Sequence, residues 1–383
     1  MADTRVTRRQ FVRDGALAAA GVAVGLSATY TVAAGNPEKA DTSKILNYNP
    51  GMEYRRAGRT NLMISAVCLG GHWKRIEKAV ATWGKKNWLG PGAGNPEFDK
   101  NRYDVVTRCI ERGINYIDAC VSQEVVAYAK ALKGRRDKMY LGYSWYEEEM
   151  RGLGSQWQSA KTAGQPKPAG WITQKLKDSF DNGLRRAGLE YVDLWRVTCH
   201  EGSSRHSDAE IDELIAALDW AKKSGRARFT GISSHDRPHI KKLLEKYPQQ
   251  LEVICTPYTA KTRVVEDKDG LWAAMQKLDI GWFGIKPFAS NSLFKGDSSP
   301  GNPHEEEDNR LARQALRCIL CNPAITAPIP GLISPQQVDN AALAVKERRQ
   351  LSPEEKAELD RAMDRAWASL PSHYQFLKDW EYV

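Results

Sequence analysis

Asp118 and Cys120 stand two residues apart at the end of a short β-forming run, Gly113-Ile114-Asn115-Tyr116-Ile117-Asp118-Ala119-Cys120. Residues two apart on a strand share a face, so this carboxylate and this thiol point the same way. Thr198 and His200 repeat the spacing on a later strand, and Cys255 takes an inward position on another. His72, Tyr143, Trp145, His235 and Lys286 fall just past strand ends. Carboxylate, imidazole, phenol and ammonium are the groups of general acid–base chemistry. The thiols Cys120, Cys199 and Cys255 with the histidines also form a soft-metal donor set, although thiols in such strands more often serve as plain core, and no metal is expected. No cysteine spacing implies a disulfide framework, and Cys318-x-x-Cys321 lacks the second pair that a zinc site needs.

Such residues act together only if the strand ends that carry them converge. The run that bears Asp118 follows an amphipathic helix over 103–112 that stops at Gly113. Further strands are expected at 66–71, 138–143, 191–197, 228–232, 252–255, 281–285 and 324–329, and helices at 171–187, 240–247, 271–278, 310–321 and 335–345. Ser207-Asp208-Ala209-Glu210 is a capping box ahead of the stripe Ile211, Leu214, Ile215 and Leu218, and a last capped helix starts at Ser352-Pro353-Glu354-Glu355. Residues 145–170 read as a long Gly/Gln/Pro loop, a candidate lid. Eight strands alternating with helices predict the α/β class and a single (β/α)8 TIM barrel, with an N-terminal β-hairpin and a C-terminal helical extension. A doubly wound sheet would carry a Gly-rich phosphate loop after its first strand, and Gly70-Gly71-His72-Trp73 is not one. In a barrel the chemistry belongs at the C-terminal ends of the strands, where Asp118 lies.

The 383 residues carry a formal net charge of +9, but Lys and Arg are interspersed with Asp and Glu, so no nucleic-acid partner is expected. Thr7-Arg8-Arg9-Gln10-Phe11-Val12 precedes a mildly apolar run over 15–26 and the small residues Val32, Ala33 and Ala34. Charged region, short apolar region and small-residue site make an export signal, and the Arg pair resembles a twin-arginine signal read by the Tat translocation machinery. The apolar run is too short to span a bilayer, so no stable membrane span is expected after signal removal. The chain therefore divides into a signal at 1–34, a linker at 35–51, a barrel at 52–345 and a helical extension at 346–383. A periplasmic or other extracytoplasmic location is expected.

Several motifs, in order, resemble the aldo/keto reductase family. Tyr54-Arg55-Arg56-Ala57-Gly58-Arg59-Thr60-Asn61-Leu62 with Ser65 resembles its opening hairpin, and Gly113 through Ala119 its second-strand motif. Ala131-Leu132-Lys133-Gly134-Arg135-Arg136-Asp137-Lys138, Tyr191-Val192-Asp193-Leu194, Gly231-Ile232-Ser233-Ser234 and Asn322-Pro323-Ala324 through Ile329-Pro330-Gly331 and Gln337 follow in the family's order. The resemblance implies reduction of a carbonyl of a small-molecule substrate with NADP or NAD, through Asp, Tyr, Lys and His. Asp118 matches the Asp. The Tyr position holds Gln123, the Lys position Ser144 and the His position Thr198, with His200 two residues on; Tyr128 belongs to the following helix. The implied site is therefore altered: Asp118, with Tyr143 or His200 as acid and Lys286 as charged neighbour. Ser233, Ser234, Tyr258, Gly331, Ile333, Ser334, Gln337 and Asn340 are the implied cofactor-binding residues, with Cys255 where a Gln is usual. A typical Arg is absent from Leu332-Ile333-Ser334, which weakens the case for a 2′-phosphate. A catalytically degenerate barrel, exported to bind a nucleotide or small ligand, is the alternative.

Overall fold

Eight short parallel strands follow one another around a single sheet in chain order: β3 (Leu69–Gly70), β4 (Tyr116–Ala119), β5 (Tyr140–Tyr143), β6 (Val192–Thr198), β7 (Ala227–Ser233), β8 (Val253–Pro257), β9 (Gly281–Ile285) and β10 (Ala327–Ile329). The computed structural model describes residues 42–83, 95–199, 206–261 and 270–380; the expected export signal and His200 lie outside them. A parallel bridge from Gly70 to Gly331, with Cys68 N donating to Pro328 O (3.1 Å) and Gly70 N to Pro330 O (2.8 Å), brings the first strand against the last. Eight parallel strands in a nearly closed barrel, alternating with helices, make the (β/α)8 TIM barrel that the hydrophobic pattern predicts.

The antiparallel hairpin β1 (Tyr54–Arg56) and β2 (Met63–Ser65) covers the N-terminal end of the barrel. Its Gly58 bridges to Ile280, and Arg59 N donates to Asp279 O (2.7 Å), just before β9 begins. The outer helices are α1 (Pro96–Glu111), α2 (Ser122–Ala131), α3 (Met150–Thr162), α4 (Trp171–Ala187), α5 (Asp208–Lys223), α6 (Arg237–Lys246), α7 (Leu271–Lys277), α8 (Glu305–Leu320) and α9 (Pro335–Lys346). Local chemistry starts them. Asn95 caps α1 by accepting from Phe98 N, with Pro96 at the first helical position; Ser207 and Glu210 form the capping box of α5. The segment read as a lid loop holds the 13-residue helix α3. Its glycines, Gly152 and Gly154, masked a stripe of Met150, Leu153 and Trp157 that packs on the helical layer.

Register sets what faces inward. Asp118 pairs with Gly142, Gly142 with Leu194, Arg196 with Gly231, Thr198 with Ser233, Ser233 with Cys255 and Cys255 with Phe283. These residues share the interior face, and their neighbours one residue away face the helices. Beyond α9, helix α10 (Pro353–Ala368), a short turn Ser372–Tyr374 and α11 (Phe376–Trp380) complete the described chain. Ser352 and Glu355 form the expected capping box of α10. Leu359, Met363, Trp367, Leu370, Tyr374 and Leu377 share one apolar cluster with Leu311 of α8 and with Ala289 and Leu293, which follow β9. That cluster carries the C-terminal segment across the barrel mouth. Among the described residues, no helix is long and apolar enough to cross a membrane.

Candidate active site

A cavity of about 780 Å³ opens at the C-terminal ends of the strands. Asp118 lies at its floor, and its carboxylate is held by Arg196 of β6: Nε donates to Oδ1 (2.8 Å) and Nη2 to Oδ2 (2.5 Å). Both side chains are almost fully buried. Tyr116 Oη donates to Asp118 Oδ1 (3.3 Å) from a ring stacked on Phe283 at 4.5 Å. Burial works against the charge on Arg196, but the Asp118 carboxylate outweighs it and keeps the guanidinium above its already high ordinary pKa. The remaining guanidinium nitrogen, Nη1, lies 4.0 Å from Cys120 Sγ. Burial pushes the Cys120 thiol up to about 11, so it is a neutral thiol at pH 7 and not a nucleophile. Arg196 escaped the sequence reading. Its signal is a basic residue at inward parity within an apolar strand.

Ser144, at the position expected for the family's lysine, ties down a buried carboxylate. Its Oγ donates to Glu149 Oε2 (2.6 Å) and lies 2.8 Å from Thr198 Oγ1. Glu149 also accepts from the backbone N–H of Trp145 (2.9 Å) and of Thr198 (2.7 Å). Burial raises the pKa of the Glu149 carboxyl. Two hydroxyls thus connect Glu149 to the cavity, which Thr198 lines.

The rim is cationic and aromatic. Lys286 lines the cavity, its backbone in the left-handed region at φ 59°. Its Nζ lies 5.2 Å from the ring centre of Tyr374. Lys74 Nζ donates to Ser290 Oγ, is 3.4 Å from Tyr374 Oη and sits 4.4 Å from that ring's centre. Burial alone would raise the Tyr374 phenol, yet the ammoniums of Lys286 and Lys74 bring it below the ordinary tyrosine value. Phe376 stacks on His235 with centroids 4.4 Å apart and an interplanar angle of 9°. His72 Nδ1 lies 2.9 Å from Glu124 Oε1, and Glu124 also accepts from Cys120 N (2.7 Å).

Several expected site residues lie elsewhere. Tyr143 does not reach the cavity. Because Gly142 takes the inward position beside Asp118, Tyr143 faces the helices, edge-on to Phe180 and stacked with Trp145. A Cβ on Gly183 of α4 would lie 1.9 Å from its Oη, which has no hydrogen-bond partner among the described residues. Trp145 is buried in the same layer. Tyr258 follows inward Pro257 and so turns outward, against Trp282 and Trp272, its hydroxyl accepting from Asn322 Nδ2 (3.1 Å). Ser234 Oγ accepts from Asp236 N (3.1 Å) and is absent from the cavity lining, whereas Ser233 is part of it. Cys255 belongs to the barrel interior and Cys199 to the helical layer, so the wall of the barrel separates these thiols. No cluster of three metal-ligating side chains occurs among the described residues.

A second cavity of about 490 Å³ meets the first at Phe288 and Gly331. Gly331, Ile333, Ser334, Gln337 and Asn340 line it, together with Glu305 and Asp308. Ser334 caps α9 by accepting from Gln337 N (3.2 Å), and Gln337 Oε1 accepts from Ile333 N (2.9 Å). Asn340 Oδ1 accepts from Arg313 (2.7 Å). A Cβ on Gly331 would lie 2.5 Å from the Gly71 carbonyl oxygen, so the junction admits only glycine.

Fold and site together define a parallel barrel that gathers its polar residues at the C-terminal mouth, beside a trench running to a helix N-terminus. The chain belongs to the aldo/keto reductase family, whose pattern matches residues 84–315. It is 27% identical over 275 residues to the L-glyceraldehyde 3-phosphate reductase of Escherichia coli strain K12, covering 69% of this chain and 68% of that protein. It is 23% identical over 201 residues to the L-galactose dehydrogenase of Arabidopsis thaliana, covering 48% and 61%. The fold is shared with an aldo-keto reductase from Bacillus halodurans in its holo form: TM-score 0.57, 20% identity, 84% of this chain and 99% of that one. It is shared likewise with an aldo/keto reductase from Klebsiella pneumoniae in complex with NADP and acetate: TM-score 0.56, 17% identity, 81% and 94%.

Proposed function

We propose that this family member is a nicotinamide-dinucleotide-dependent oxidoreductase that interconverts a small carbonyl compound and its alcohol at the mouth cavity. The observation that carries the reading is the buried Asp118–Arg196 pair at the floor of a cavity that runs into a second one. It supplies, from another strand, the cation that the Asp118 carboxylate lacks where Ser144 stands at the family's lysine position. The donor set fits a dinucleotide: the Ser233 hydroxyl in the mouth, the Gly331 junction, and the N-terminus of α9 at Ser334 on the far side. When bound, the reduced cofactor supplies a hydride to the carbonyl carbon. Arg196 then donates from Nη1 to the carbonyl oxygen and steadies its developing charge. Lys74, Arg151 and Lys286 at the rim favour a substrate that also bears an anionic group. A relative named for a phosphorylated aldehyde supports that preference.

The test is transfer of deuterium from labelled NADH or NADPH to a panel of neutral and phosphorylated aldehydes. Tight dinucleotide binding with no transfer to any carbonyl would overturn the reading in favour of an exported binding protein. We further propose export through the twin-arginine pathway to the periplasm or another extracytoplasmic space, on the strength of residues 7–34. Unchanged export of the Arg8→Lys/Arg9→Lys variant would refute that.

A further inference from the structure

A carbonyl that accepts a hydride must also gain a proton, and the family's tyrosine position is Gln123, which does not line the cavity. Among the described residues two phenols do line it, Tyr146 and Tyr374. Tyr146 is partly exposed, and its hydroxyl accepts from Arg151 Nη1 (2.6 Å) toward solvent, where a cation has little leverage. Tyr374 is 7% exposed and anchored by the apolar cluster of the C-terminal segment. Its oxygen lies 3.4 Å from Lys74 Nζ, with Lys286 on the same ring and Ser290 bound to Lys74. The charged or titratable groups facing it are Lys74 after β3, Lys286 after β9 and, across Phe376, His235 after β7.

We propose that Tyr374, brought over the barrel mouth by the C-terminal segment, is the catalytic acid of the reduction, with Lys74 holding its phenolate; this rests on the reductase reading above. In the step, the carbonyl carbon takes a hydride from the reduced nicotinamide, which is thereby oxidised. The Tyr374 O–H bond breaks, its proton goes to the carbonyl oxygen, and the bonding pair stays on the phenolate beside the Lys74 ammonium. A proton from water restores the phenol. In alcohol oxidation the same phenolate takes the proton. The depressed phenol pKa is what such a donor needs to work near neutral pH.

The experiment pairs a spectroscopic titration of the cofactor-free protein with steady-state kinetics. Absorbance at the tyrosinate band should show one tyrosine ionising below the ordinary value of about 10. Tyr374→Phe should remove that ionisation, and Lys74→Met should move it upward. Tyr374→Phe should lower kcat by about 10²–10⁴-fold with NADH affinity unchanged. Tyr146→Phe should leave the early ionisation in place. The inference is overturned if no early ionisation is seen, if it survives in Tyr374→Phe, or if Tyr374→Phe turns over as the wild type does. Should Tyr374→Phe fail to fold, an unmoved ionisation and pH–rate profile in Lys74→Met overturn it as well. An active wild type with an equally active Tyr374→Phe sinks this inference alone. A wild type that binds NADH and transfers hydride to nothing sinks the reductase reading and this role with it.

Discussion

Replacing Arg196 by methionine would leave the Asp118 carboxylate buried, with the Tyr116 hydroxyl at 3.3 Å as its remaining side-chain donor among the described residues. Removing one partner of such a pair costs about 3–5 kcal/mol. A direct count agrees: unit charges about 4 Å apart attract by about 4 kcal/mol at an effective dielectric constant near 20. At roughly 2.1 cal/mol/K of unfolding entropy per residue, a chain of 383 residues shifts by about 1.2 °C per kcal/mol, so the melting temperature should fall by roughly 4–6 °C. Arg196→Met should also lose about 10²–10³ in kcat as a donor to the developing oxyanion. The double variant Asp118→Leu/Arg196→Met removes both charges and should recover most of the lost stability while staying inactive. Tryptophan-monitored urea unfolding and thermal melts read the first quantity, and deuterium transfer from labelled NADH reads the second. A loss below about 1 kcal/mol in the single variant would mean the pair is screened like a surface bridge. Restored turnover in the double variant would refute the role given to the pair.

Gly183→Ala would drive a methyl group into Tyr143 Oη and should cost about 1–3 kcal/mol in urea unfolding. Tyr143→Phe added to it should relieve much of that loss, and Tyr143→Phe alone should leave kcat intact. Asp193 is buried between Arg136 (2.6 Å) and Arg228 (2.8 Å), with Leu141 N donating at 2.9 Å. Burial alone would raise its pKa, but the two arginines hold it below the ordinary carboxylate value. It therefore stabilises the fold above its unfolded-state pKa, and this contribution is lost as pH falls through its lower folded value. Asp193→Asn should be destabilised at pH 7, toward the lower end of about 3–5 kcal/mol because both arginines reach solvent, and the deficit should shrink below about pH 4. The second cavity carries Glu305 and Asp308, and its Lys78 is engaged by Asp297 at 2.5 Å. NADH should therefore bind more tightly than NADPH by calorimetry, and an equal or tighter NADPH would show that another cation meets the 2′-phosphate.

The barrel and the place of Asp118 were legible because they rest on local, repeating chemistry. Strand–helix alternation, Gly stops and Ser-x-x-Glu boxes act within a few residues, and side-chain parity then puts Asp118 and Cys120 on one face. Lys286 was legible from its place just past a strand end, whereas Gly331, Ile333, Ser334, Gln337 and Asn340, which line the second cavity, were named by the family resemblance. Tyr143 was misplaced by one residue of parity, because nothing local says that the interior position beside Asp118 belongs to Gly142. Tyr258, named by the family resemblance, turns outward because the inward position belongs to Pro257 before it.

The sequence by itself determined the fold class, the end of the barrel that bears the site and one carboxylate in it. Tertiary structure alone decided what that carboxylate meets. The pairing of Asp118 with Arg196 depends on the register and stagger of β4, β5 and β6, which the hydrogen bonds between strands set. The arrival of Tyr374 beside Lys74 and Lys286 depends on how the apolar face of the C-terminal segment docks on α8 and the loop after β9. Both contacts join residues far apart in the chain, and burial, which acts on shape and area, leaves no local pattern that names the partner.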